Sequence, residues 1–183
     1  MIETVIFDLG NVLVDVRTDT LQRQLAARLE LSEQQLQSRL AALLPLMESY
    51  ERGRLNGVAF YQRVLSHFDL TQEAYPFAEY REHWCGALVP SPPMEALFEE
   101  VLAVVRVRVC VLSNTNALHW MYPAERFPLV QRAWATLVSY EGGLFKPEAA
   151  IYRLALERFV VKAPDTAVVL GDRPGDVEAA SHG

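Results

Sequence analysis

The sequence predicts an α/β fold: a parallel sheet with helices on both faces and a helical insertion near the N-terminus. Three observations carry that prediction. Thr4-Val5-Ile6-Phe7 is a short apolar run that climbs to Asp8, as a strand buried on both faces does. From Pro90 onward, helical and strand patterns alternate, the signature of a parallel sheet. Between these two regions roughly seventy residues show helical spacing and no strand signal, more than one crossover needs.

Taken in order, Gly10-Asn11 lets the chain turn sharply past Asp8 before the apolar character resumes at Val12-Leu13. Residues 18–30 place Leu21, Leu25, Ala26 and Leu29 on one helical face. Ser32 is an N-cap for a second helix through Leu36, Leu40, Leu43 and Leu44, which Pro45 perturbs or ends. A third helix is expected from Asn56 to His67 and a fourth from Thr71 to Trp84. Pro90-Ser91-Pro92-Pro93 breaks the chain, and a helix over 93–104 follows. Val105–Leu112 reads as a strand that stops at Ser113-Asn114. Residues 117–134 are mixed, with Pro123 and Pro128 limiting any helix. Ala135–Ser139 is a third strand, Glu141-Gly142-Gly143 a turn, and Pro147 the start of a helix through Leu156. Thr166–Leu170 is a fourth strand ending at Gly171-Asp172, and a last helix begins near Gly175-Asp176.

The composition bounds the function. The chain has 183 residues, 51% of them hydrophobic and 22% charged, and a net charge of −6. An acidic chain lacks the basic face of a general nucleic-acid binder. It can still take an anionic small molecule, because a few local cations reverse the field inside a pocket. Cys85 and Cys110 indicate neither a disulfide framework nor a zinc site. The chain opens almost directly into its first strand, with no signal-peptide pattern and no run of membrane-spanning length, so a cytoplasmic location is expected. The partner expected is a small molecule, with neither nucleic acid nor membrane, on a monomer or homodimer.

Polar residues close every strand at one edge, where open α/β sheets bind their ligands. They are Asp8, Ser113-Asn114, Ser139, and Asp172 with Asp176, and Lys146 follows the third strand. Alone, each is a turn residue, a cap or a solvated charge. Together they suit a phosphoryl group. Asp8 could attack phosphorus and form an aspartyl-phosphate. Asp8 and Asp172 could hold Mg²⁺, a hard cation that prefers oxygen. Lys146 could neutralise charge on the phosphoryl oxygens, and the Ser113 hydroxyl and the Asn114 backbone N–H could hold another of them. Asp176 could ligate the metal through water or orient Lys146.

At these residues the chain resembles the haloacid dehalogenase-like hydrolases, which carry four motifs in this order. Ile6-Phe7-Asp8 with Val12-Leu13 is similar to the nucleophile motif, and Val111-Leu112-Ser113-Asn114 to the phosphate motif. Lys146-Pro147-Glu148 resembles the third motif and Gly171-Asp172-Arg173-Pro174-Gly175-Asp176 the metal motif. The resemblance implies a Rossmann-like core over 1–15 and 89–183, with an inserted α-helical cap over 16–88. Glu51-Arg52-Gly53 is similar to a cap segment near the substrate. The Asp-Leu-Gly-Asn-Val opening and Leu-Ser-Asn-Thr-Asn resemble the bacterial α-D-glucose-1-phosphate phosphatases. This implies a Mg²⁺-dependent phosphatase of small metabolites, with a sugar phosphate such as glucose 1-phosphate favoured.

Two departures follow from the same resemblance. Most phosphatases of the family have a second aspartate two residues after the nucleophile, as proton donor. Here the position is Gly10, which offers a backbone carbonyl to the metal but no proton. Asp15 or a cap residue could replace that acid. The family also adds a strand after the helix begun at Asp176, whereas this sequence stops at Gly183, so a core with that edge strand missing is expected. Two other functions remain open: a dehalogenase acting on a C–halogen bond, and a catalytically weak or dead binding protein of the same fold.

Overall fold

The computed structural model describes residues 1–126, 128–162 and 166–172, without the side chains of residues 123–126, 128 and 129. Four parallel strands form its centre: β1 (Thr4–Phe7), β4 (Arg108–Ser113), β5 (Ala135–Val138) and β6 (Ala167–Leu170). Their order is β5-β4-β1-β6, and among the described residues β6 pairs with β1 alone. Strand period sorts the core into two layers. Phe7, Val109 and Val111 point to the face covered by α6 (Pro92–Leu102), where Phe98 meets Phe7 at 5.1 Å between ring centroids. Ile6, Cys110 and Leu112 point to the opposite face, against Ile151, Tyr152, Ala155 and Phe159 at and just beyond α9 (Ala149–Arg158). Burial on both faces explains why β1 and β4 read as continuous apolar runs.

The helical insertion has its own core, with Leu25, Leu36, Tyr50, Phe60, Tyr61 and Tyr80 among its buried members. It comprises α1 (Asp19–Leu29), α2 (Glu33–Ala42), α3 (Leu44–Glu51), α4 (Gly57–His67) and α5 (Phe77–Cys85). Local signals set its breaks. Glu30, left-handed at φ 53°, closes α1, and Ser32 forms a capping box with Gln35 at the start of α2. Asn56 Oδ1 accepts the Ala59 N–H at 2.8 Å to start α4.

Several expected elements change. The helix expected through Leu44 stops at Ala42, and Pro45 lies in the first turn of a separate α3, where a missing N–H costs nothing, so the insertion has five helices among the described residues, not four. Residues 71–75 form a turn rather than the start of α5. Pro76 bars the residue before it from the helical region and becomes the cap of a helix starting at Phe77. Residues 105 and 106 are an exposed turn, not strand. The ladder to β1 begins with Thr4 beside Arg108, and among the described residues no strand pairs with residues 105–107. Past β4 the backbone is helical through Pro123 as α7 (Ala117–Arg126), started by Asn116 Oδ1 accepting the His119 N–H at 3.0 Å, and a 3₁₀ turn spans Pro128–Arg132. Ser139 does not end β5 but opens the one-turn α8 (Ser139–Gly142), and α9 starts at Ala149 rather than at Pro147. The expected last helix near Gly175-Asp176 lies outside the described residues.

One small sheet was not expected. β2 (Val14–Val16) and β3 (Leu88–Pro90) pair antiparallel, with Asp15 opposite Val89. Three-residue strands carry no readable period, and a proline in one of them hides it further. This ribbon carries the chain out of the sheet into the helices and back. The expected boundaries at 15/16 and 88/89 fall within it.

Candidate active site

The parallel register sets Phe7 beside Val111 and Leu170, so Asp8, Ser113 and Asp172 emerge at one edge of the sheet. The Asp8 N–H donates to the Leu170 carbonyl at 2.9 Å, tying the start of the turn to the neighbouring strand. Its side chain is held at both oxygens. Oδ1 accepts the Leu9 N–H at 2.7 Å and Oδ2 accepts Lys146 Nζ at 2.5 Å. Asp8 is 8% exposed and Lys146 5%, so this is a buried ion pair that nonetheless borders a cavity. A carboxylate oxygen has two lone pairs, so each can accept one more ligand.

Asn114 places Lys146. Its Nδ2 donates to the Lys146 carbonyl at 2.9 Å, and its Oδ1 accepts the Lys146 N–H at 2.8 Å. The amide thereby holds the Lys146 backbone at both its N–H and its carbonyl and carries the lysine to Asp8. Ser113 is buried beside it, and its hydroxyl makes a long 3.5 Å contact with the Asn114 carbonyl. Ser139 does not serve this cavity. Its hydroxyl accepts the Thr115 N–H at 3.0 Å and lies 2.6 Å from the Glu51 carbonyl, tying the sheet edge to α3.

Asn11 was read only as a turn residue, yet it fixes Asp172. Its φ of 54° is left-handed, a conformation asparagine tolerates. From there its Nδ2 donates to Asp172 Oδ2 at 3.1 Å, while its Oδ1 accepts the Val16 N–H at 3.2 Å. Gly10 bridges Val14 and lines the same cavity. Asp15, a candidate for the missing acid, pairs instead with Arg17 at 3.1 Å and is not in the cavity lining, which takes Val14 and Val16 from the alternate face of β2. Asp176 lies outside the described residues.

The donor set suits a hard cation. Asp8, Asp172 and the Gly10 backbone line one cavity and offer oxygen alone. Among the described residues no three His, Cys, Asp or Glu side chains gather as a metal cage. Mg²⁺ typically takes one or two carboxylates and keeps several waters, so the sparse set fits it better than it fits zinc.

The cavity holds about 530 Å³ and runs from these polar groups up into the helical insertion. Its lining carboxylates among the described residues are Asp8, Asp172 and, from the insertion, Glu51. The insertion is seated by Arg52, which meets Glu48 at 2.7 Å, Glu148 at 2.6 Å and the Gly143 carbonyl at 3.1 Å, with its guanidinium over the Phe145 ring. Arg52 holds the Glu148 carboxyl below the usual carboxylate range. Gly53, at φ 69°, lies so close to the Tyr140 carbonyl that an added Cβ would sit 2.1 Å from its oxygen. The likeness of residues 51–53 to a cap segment thus falls on the contact between the two units.

His119, on α7, stacks on Trp84 at 5.2 Å between ring centroids, and its Nε2 lies 3.3 Å from the Trp84 carbonyl. Exclusion of water pushes its pKa down to about 4, and the bond to Trp84 offsets part of that effect. The unfolded chain binds this proton near pH 6.5 and the folded chain only near 4, so folding stability falls as pH drops through that window. Replacing His119 with glutamine is expected to flatten the pH dependence of urea unfolding between 6.5 and 4, by on the order of 1–3 kcal/mol across the window. Equal slopes for the two chains would refute this.

Three similarities bear on this geometry. A family model described as haloacid dehalogenase-like hydrolase matches residues 2–183. Among solved structures, a HAD family enzyme of Bacteroides thetaiotaomicron, wild type in complex with magnesium and inorganic phosphate, superposes with a TM-score of 0.83 at 19% identity, over 100% of this chain and 90% of that one. The L-2-haloacid dehalogenase of Xanthobacter autotrophicus, with chloropropionic acid covalently bound, gives 0.69 at 19% identity, over 100% and 74%. At such identity both show a shared fold. Among the described residues no helix is long and apolar enough to cross a membrane.

Proposed function

This chain belongs to the haloacid dehalogenase-like hydrolases, and we propose that within them it is a Mg²⁺-dependent phosphatase of small phosphorylated molecules, with Asp8 as nucleophile. The observation that carries this is the buried Asp8–Lys146 pair at 2.5 Å, opening on the cavity that Asp172 and Ser113 also line. In this reading the helical unit over 16–88 is a cap on a core made of 1–15 and 89–183.

An Asp8 oxygen attacks phosphorus, the bond to the leaving oxygen breaks, and an aspartyl-phosphate forms. Water then attacks that phosphorus and releases phosphate, restoring the carboxylate. Each of this chain's groups answers the repulsion between a carboxylate and a phosphate dianion. Lys146 sets a cation beside both, and the Asn114 amide holds its backbone so that the ammonium does not drift. The Leu9 N–H holds one Asp8 oxygen and so orients the other. The Ser113 hydroxyl and the Asn114 N–H are assigned to a phosphoryl oxygen. Asp8, Asp172 and the Gly10 carbonyl would hold Mg²⁺, with Asp176 as a further ligand through water, and the ion would supply charge neutralisation at the phosphoryl group. A sugar phosphate such as glucose 1-phosphate, whose anomeric oxygen leaves readily, meets the lack of a proton donor at Gly10.

The test is phosphate release from a panel of sugar, nucleotide, alkyl and aryl phosphates, with Mg²⁺ and with EDTA. Release that chelation abolishes is expected. Halide release from 2-chloropropionate that survives EDTA would overturn the reading in favour of carbon–halogen hydrolysis, and silence on both panels would favour a binding protein.

A further inference from the structure

Above Asp8 the cavity is walled by the cap, and its wall is apolar: Leu21, Leu40, Met47, Phe68, Tyr80 and Trp84 all border it. The polar side chains on that side are few, and beside Glu51 three of them bond in a chain. Gln37 Nε2 donates to Gln22 Oε1 at 2.8 Å, and Gln22 Nε2 donates to Thr18 Oγ1 at 3.1 Å. Tyr80 and Trp84 form an aromatic pair in this wall, their rings stacked at 5.8 Å with 19° between planes.

A hexose carries a hydroxyl on nearly every carbon, and this wall has little to bond them. An aromatic ring loses nothing by leaving water for such a wall and gains stacking area there. The floor adds a second requirement. With glycine at position 10, departure without protonation favours a leaving oxygen of low pKa, and a phenol, near 10 as in tyrosine, leaves far more easily than an alkyl alcohol. An anomeric sugar phosphate satisfies the floor but not the wall.

We infer that the substrates are phosphate monoesters of aryl-sized, largely apolar alcohols, phenols foremost. The phosphate end of this assignment rests on the phosphatase reading above. The aryl end stands on the cap wall alone.

Binding separates the two. On the full chain carrying Asp8→Asn, calorimetry with Mg²⁺ would compare phenyl and 4-isopropylphenyl phosphate with glucose 1-phosphate. The aryl phosphates are expected to bind at least tenfold more tightly than glucose 1-phosphate. Equal or tighter binding of glucose 1-phosphate overturns the inference. Phosphate release by the unsubstituted chain is read in parallel. Turnover of glucose 1-phosphate above that of the aryl esters leaves the phosphatase reading standing and the inference refuted. Tight aryl binding with no release from any ester refutes the phosphatase reading and leaves the aryl site standing.

Discussion

Replacing Asp8 with asparagine is expected to lower turnover by about 10⁴-fold or more, the scale seen when a covalent nucleophile is removed. An amide oxygen can still accept the Lys146 ammonium or the Leu9 N–H, so the surroundings of the residue are largely kept. In the proposed reaction, what is lost is the nucleophile. The variant also leaves Lys146, 5% exposed, without its carboxylate partner. Breaking a buried pair is costly because the surviving charge stays desolvated. The asparagine oxygen recovers part of that, and a cost of about 1–3 kcal/mol in urea unfolding is expected. Rapid-quench experiments with labelled ester should show label on the unsubstituted protein and none on the variant. Turnover within tenfold of the original would remove Asp8 as the nucleophile, and stability that rises would show the pair to be less buried than its geometry implies.

Much of this site could be read from the chain because strand ends and motif positions coincide. Asp8, Ser113 and Asp172 each follow a strand whose apolar run announces it, and a parallel sheet places all such ends at one edge. Lys146 was legible as a position, but its contact with Asp8 depends on the Asn114 bracket, which is a tertiary fact. Asn11 shows the limit plainly. Nothing local distinguishes an asparagine that closes a turn from one that also reaches Asp172, 161 residues away in sequence. The short elements failed for a similar reason. Residues 14–16 and 88–90 become strands only because each finds the other, and Val105–Val107, β-branched at two of three positions, fails because no strand among the described residues pairs with it. Prolines were misread when taken as breakers alone. Pro45 opens α3 and Pro123 sits within α7. The cavity under the helical insertion was the least legible feature, since helical spacing marks Leu40, Phe68 and Tyr80 as inward-facing without saying that space remains between them.

Introducing an aspartate at Gly10 should restore what the resemblance says is missing. The position accepts a side chain. Its backbone lies outside the left-handed region, and an added Cβ would meet Val16 Cγ2 at 3.6 Å, an ordinary contact. Gly10 also borders the cavity that Asp8 lines, so a carboxyl there enters the same space. General acid–base catalysis is worth about 10²–10⁴ in rate, and it helps most where the leaving group is a poor one. Benzyl and phenyl phosphate make a suitable pair, since both carry one aromatic ring and differ chiefly in the basicity of the departing oxygen. For Gly10→Asp, kcat/KM on benzyl phosphate is expected to rise about a hundredfold or more, with phenyl phosphate changing by less than about fivefold. The rise should carry a new descending limb in the pH profile, because the donor must be protonated. A benzyl-to-phenyl ratio that does not move would mean that a proton donor already serves the site. Glu51 is then the group to replace, since it is the carboxylate that the cap brings to the cavity among the described residues. Its loss should slow benzyl phosphate more than phenyl phosphate, by the same Brønsted logic that predicts the gain at position 10.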